Sequence, residues 1–229
     1  MMKKIIIAFF IMFSALLFLG FFLHTAINDL SVIEPMQGQQ YDGRSIEAVL
    51  AEGKITMLPD FVYSGDDPYL KLVYDIYSFR EFNDQACFFV LSARVFDTYE
   101  EADRMNVFAT VMFVYYNLYG NILVKDKIAV EPVCITFTKN PDSSYEYYHI
   151  KRAQKGNGFQ HSVKDFCRMP ITGKYLPHIA EQMLSHYNNY GDLLELQRAN
   201  LVEHLQGLGL KGVSLYLPNA GKPLVVPLT

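Results

Sequence analysis

The chain has 229 residues, of which 51% are hydrophobic, 14% aromatic and 19% charged, with 20 basic and 24 acidic side chains. That hydrophobicity excludes an intrinsically disordered chain, fourteen glycines and ten prolines exclude a collagen-like or low-complexity one, and three cysteines are too few for a small disulfide scaffold. Without Lys3, Lys4 and Asp29 the remainder carries 18 basic and 23 acidic residues, and its densest basic run is Lys151-Arg152 with Lys155, so no nucleic acid is expected as a partner.

Met1-Met2-Lys3-Lys4 precedes Ile5 to Leu23, a stretch without charge that only Ser14 and Gly20 interrupt. A bilayer core takes about 20 apolar residues, so residues 1–27 read as a transmembrane anchor that partners the membrane through one helix. The alternative is a signal peptide cleaved near His24-Thr25-Ala26 and a secreted protein. Against it, the apolar core exceeds the usual length of about 7–15 residues, and the large His24 stands where a small residue belongs. Lys3 and Lys4 precede the span, whereas Asp29 and Glu34 follow it and no basic residue comes before Arg44. The positive-inside rule then keeps the N-terminus in the cytoplasm and places the rest outside it.

Residues 28–43 hold Pro35, Gly38 and three glutamines and read as a linker, so residues 44–229 form one extracytoplasmic domain. Ser45 and Gly53 bracket a short helix. Residues 69–82 carry three tyrosines and a valine and are expected as a strand, although Leu72, Ile76 and Phe79 also fit one helical face. Residues 87–97 and 106–119, apolar on both faces, predict central strands joined by a loop of several residues over Thr98–Arg104. After Gly120-Asn121 come a third strand over 130–138, with Pro132 at its start or on an edge, and a fourth over 144–152. Beyond residue 160 the pattern turns helical: a short turn or helix over Ser162–Phe166, a helix from Pro177 to Tyr187, and another from Asp192 that Gly207 and Gly209 stop. The tail holds an apolar run, Val213 to Leu217, then three prolines.

This order predicts an α+β domain: an antiparallel meander of about four strands covered by helices, in a cystatin-like or nuclear-transport-factor-like arrangement. Sixteen tyrosines and no tryptophan, with six of the phenylalanines inside the apolar N-terminal stretch, leave a tyrosine-rich domain. Tyr115, Tyr116, Tyr119, Tyr145, Tyr147 and Tyr148 are the candidate binding residues, on the expectation that several share one sheet face. Tyrosine suits recognition surfaces because its ring is apolar and its hydroxyl is not. Packing under the C-terminal helices is the alternative.

Met112–Tyr119, the Gly120-Asn121 turn, the run from Val130 to Phe137, Tyr145–Ile150, and Val163-Lys164 leading to Met169-Pro170 form a recognisable succession. With them, residues 106–170 resemble an uncharacterised extracytoplasmic domain of Gram-positive bacterial membrane proteins and lipoproteins. That domain also occurs at the C-terminus of some beta-lactam-sensor-like membrane metallopeptidases. The chain departs from its pattern where Gln154–Gly158 lacks the Pro-x-Asp-Gly element and where Lys125–Ala129 replaces a Ser/Gly-rich segment. The resemblance implies an extracytoplasmic soluble domain of unknown activity and carries over no catalytic residue.

Motifs of chemistry are sparse. His24, His149, His161, His178, His186 and His204 show no HExxH spacing, so no metal is expected, and nothing implies a cofactor. Asp97, Glu100, Glu101 and Asp103 lack the glycine and spacing of an EF-hand. Cys87, Cys134 and Cys167 include no CxxC, and their disulfide state stays open. Cys167 with His161 is the one nucleophile and base close in sequence. The sequence therefore favours a non-enzymatic binding or sensory module with an envelope protein or peptide as partner. A structural component of a membrane complex is the alternative, followed by an envelope hydrolase.

Overall fold

The computed structural model describes residues 40–41, 44–53, 57–78, 86–217 and 224–228. The expected membrane segment and all of the linker except Gln40 and Tyr41 lie outside these residues. Among the described residues no helix is long and apolar enough to cross a membrane. The chain divides into two compact units, residues 1–48 with 217–224 and residues 49–216 with 225–229. In the first, β1 (Gln40–Tyr41) pairs antiparallel with β2 (Arg44–Ser45). Helix α1 (Ile46–Ala51) follows at once, where Ser45 and Gly53 bracket it.

The second unit is an α+β structure on a curled mixed sheet. Its heart is an antiparallel meander of β3 (Phe88–Glu101), β4 (Arg104–Tyr119), β5 (Ile122–Lys139) and β6 (Tyr145–Arg152). Two short strands extend it: β7 (Ser214–Leu217) runs parallel to the start of β5, and β8 (Leu224–Pro227) pairs with β7. The apolar tail thus enters the sheet. Three bulges curl it. Val95 pairs with Ala109 and Asp97 with Phe108, leaving Phe96 as the extra residue. By the same register argument Asp126 is the extra residue in β5 and Tyr148 in β6.

Strand β4 is buried from Met105 to Leu118, as its unbroken apolar run predicts. Successive side chains alternate between faces. Phe108 packs with Val163, Phe166 and Met183 of α3 (Phe159–Phe166) and α4 (Pro177–Asn188). Tyr116 stacks on Phe88 under α5 (Gly191–Gly207), whose Gln197 donates to Val90 O at 3.0 Å. Phe113 and Tyr115 turn to the opposite face and meet Tyr77 and Phe89. Each such large apolar side chain contributes about 1.5–3 kcal/mol by leaving water.

Four expectations are corrected. The strand expected over residues 69–82 is not formed over 69–78, because Pro68–Ser78 form helix α2, and residues 79–82 lie outside the described residues. Asp67 accepts the Tyr69 and Leu70 N–H groups at 2.9 Å each, capping the helix, and Val73, Tyr74 and Tyr77 fall on one buried face. The loop expected over Thr98–Arg104 is a two-residue turn, because Glu101 pairs with Arg104 and Ala102 takes φ 55°. The third strand begins at Ile122, not at residue 130. Strand β3 ends the sheet and is not central.

Its outer edge is nevertheless covered from Cys87 to Leu91, which explains the apolar character of its first half. Leu58 N–H donates to Cys87 O and Phe61 N–H to Phe89 O. Asp60 accepts the Phe89 N–H, and Asn200 Nδ2 donates to Leu91 O at 2.7 Å. An irregular segment and a helix side chain do here what a neighbouring strand would do.

Candidate functional site

The outer edge of β5 is used by two different strands. Ile122–Val124 pair with β7 and Val133–Lys139 with β6. Ala153 N–H donates to Pro132 O at 3.0 Å, extending the β6 side by one residue. Among the described residues nothing pairs with Lys127, Ile128, Ala129 or Val130 on this edge. Accordingly Lys125–Lys127 are exposed and Ile128–Glu131 half-buried, in a strand buried on both sides of this stretch.

A cleft of about 570 Å³ opens here. Phe113 and Tyr115 of β4 lie opposite Ala129 and Lys127 of β5 and form one wall. Phe159 of α3 and Tyr187 of α4, with ring centroids 4.3 Å apart, form the other. Lys127 and Lys155 reach its mouth and are exposed. Glu131 is held at its inner end, accepting the Tyr77 hydroxyl at 2.9 Å and pairing with Arg152 at 3.6 Å. The cleft therefore combines aromatic walls, two cations and backbone.

Pairing puts three of the six candidate tyrosines, Tyr115, Tyr145 and Tyr147, on one face of the sheet, where they stand across from Lys127, Lys139 and Phe137 in that order, but the six do not form one surface. Tyr115 lines the cleft, while Tyr116, its neighbour, points the other way and is 1% exposed. Burial pushes the Tyr116 phenol up to about 12, although Gln197 opposes this. Tyr119 is half-buried at the end of β4, and Tyr145 donates its hydroxyl to Glu100 at 3.3 Å. Tyr147 and Tyr148 are exposed, and the Arg104 guanidinium stacks 3.5 Å over the Tyr148 ring. Alternation along β4 separates the first two, and the bulge at Tyr148 re-aims the last.

Cys167 and His161 lie in different surroundings. Cys167 is fully buried, and burial pushes its thiol up to about 12, the wrong direction for a nucleophile. His161 is largely exposed and pairs with Asp165 at 3.1 Å. Cys134 shares the Cys167 cluster and is likewise raised to about 12 by burial. The carboxylates expected in a loop are each engaged. Asp97 pairs with His178 and Glu100 with Lys139. Glu101 accepts the Ile171 and Thr172 N–H groups, which outweigh its burial and lower its carboxyl. No group of metal ligands occurs among the described residues.

A second cavity, of about 560 Å³, borders Arg94 and His186. His186, 8% exposed, holds Asp192 at 2.7 Å, and Arg94 grips the other oxygen of that carboxylate. Burial acts to raise Asp192, but the Arg94 and His186 contacts win and keep it below the usual range. Asp192 thus ties Arg94 of β3 to His186 of α4, although His186 Nδ1 is buried without a hydrogen-bond partner. Comparison with known proteins finds no matching family model, no similar curated protein and no similar solved structure.

Sequence reasoning missed the cleft because its parts come from β4, β5, the 153–156 turn and two helices. The mixed run Lys125-Asp126-Lys127-Ile128-Ala129 inside an apolar strand was the available signal.

Proposed function

We propose that the chain is a non-enzymatic binding module, held at the membrane by residues 1–27 with its folded part outside the cytoplasm, and that the β5 cleft is its binding site. The apolar N-terminal run and its flanking lysines support the placement. The pattern in residues 106–170 supports an extracytoplasmic domain of the kind it resembles, and helices on a curled sheet suit a cystatin-like or nuclear-transport-factor-like arrangement. The observation that carries the binding role is the interrupted edge of β5 between aromatic walls. Clefts of this size with few polar groups are the usual form of a recognition site.

Two measurements test the reading. Protease shaving of intact cells that carry a C-terminal tag should digest the tag while the full-length chain stays in the membrane. A protected tag would refute the placement. A photo-reactive amino acid at Ala129 should give a discrete adduct in cells, and Lys127→Glu with Lys155→Glu should abolish it. Absence of any adduct would refute the binding role.

A further inference from the structure

We propose that the β5 cleft takes an extended acidic peptide segment of another protein, which adds to the sheet as a strand between β7 and β6; this rests on the binding-module reading. The backbone supplies the first argument. Pro132 turns its carbonyl outward, where it receives the Ala153 N–H. The register of β5 against β4 is regular from Lys127 to Thr138. In an antiparallel strand the groups of alternate residues point to the same edge. Ile128 and Val130 therefore direct both N–H and C=O to the open edge. Pro132 is tolerated because its missing N–H belongs to that same outer side. An incoming strand finds four backbone groups in register over about 10 Å.

Charge supplies the second argument. Lys127 and Lys155 stand exposed at the mouth, whereas the carboxylate of Glu131 is engaged by Tyr77 and Arg152. The field at the edge is thus positive and selects acidic side chains on the solvent side of the peptide. The half-buried rings of Phe159 and Tyr187 receive the apolar side chains that alternate with them, beside the buried rings of Phe113 and Tyr115.

The full-length chain in detergent micelles is titrated with a fluorescein-labelled decapeptide that alternates valine and glutamate around a central tyrosine. One control peptide has lysine for each glutamate, and a second is N-methylated at alternate amides. The acidic peptide should bind at least about tenfold tighter than either control, since two lost backbone bonds are together worth about that factor. Amide hydrogen exchange at Ile128 should slow by a similar factor when the acidic peptide is present. Val130→Pro, which removes one outward N–H, should weaken binding about tenfold; if that variant fails to fold, the N-methylated peptide makes the same test from the partner side.

Equal binding of the N-methylated peptide overturns strand addition, and equal binding of the lysine peptide overturns the charge argument. Protection of Ile128 and Val130 without peptide also overturns the proposal. Concentration-independent protection assigns the edge to a segment of this chain, and protection that rises with concentration assigns it to a second copy. If no peptide binds while the Ala129 adduct still forms in cells, strand addition falls and the binding module stands. If both are absent, both fall.

Discussion

The two long edges of this sheet solve the same problem differently. On β3 the outward groups from Cys87 to Leu91 meet Leu58, Asp60, Phe61 and Asn200, and Phe61, Tyr63 and Tyr74 pack over them. On β5 the outward groups of Ile128 and Val130 meet no described partner, and the strand is exposed at Lys125–Lys127 and half-buried from Ile128 to Glu131. Both edges carry apolar residues, yet one is closed by its own chain and the other stands beside a cleft. An unpaired edge invites another strand. Closure of β3 with side chains prevents that pairing, so the molecule directs strand addition to one short window on β5.

Substitutions measure the contrast. The largest effect is expected at the closed edge. Tyr74→Ala removes a ring packed on Phe61 and Tyr63 and the hydroxyl that accepts from Asn200, and should lower urea-unfolding stability by about 3–5 kcal/mol. Asn200→Ala leaves Leu91 O and the Tyr74 hydroxyl without that amide, for an expected loss of about 1–3 kcal/mol by the same measurement. Losses below about 0.5 kcal/mol in either variant would contradict the closed-edge account.

The next effect is one of pH. His204 packs between Phe61 and Phe88, where burial lowers its pKa from 6.5 although Pro59 opposes this. The unfolded chain then takes up the proton first as pH falls below 6.5, so stability should be full above that value and decline toward the lowered native value. His204→Gln should flatten this decline in thermal melts between pH 7 and pH 5, a window of about the unperturbed histidine range. An unchanged slope would show that other groups carry it. Asp192 and Glu101, both lowered, act only at more acidic pH, where their protonation removes stability.

The smallest effect is expected at the open edge. Lys127→Ala changes an exposed side chain that stands across from Tyr115 in the ladder, and should alter stability by less than about 0.5 kcal/mol while weakening acidic-peptide binding. A large destabilisation there would mean that the open edge is structural.

The meander, α1 and the helices from α3 to α5 were legible because each has its own local signal. Strand β4 is rich in Val, Phe and Tyr, Pro177 starts α4, and Gly207 with Gly209 stops α5. Segment 69–82 was misread because tyrosine and valine favour strands only weakly, whereas the Asp67 cap and the buried stripe of Val73, Tyr74 and Tyr77 decide for a helix. Of the candidate tyrosines, Tyr115 alone lines the cleft, because face and burial depend on strand parity and bulges that composition does not show.

The sequence by itself determined the α+β class, most element boundaries and the acidic character of the domain, since periodicity, capping residues and charge are local quantities. Only the tertiary structure decided that the tail joins the sheet beside Ile122 and that β6 stops at Pro132. Those two pairings leave Lys127–Val130 open between them, and the charged run at Lys125–Lys127 is the only local trace of it in the sequence. An edge is defined by which distant strands fail to meet, and that depends on contacts between residues about ninety positions apart along the chain.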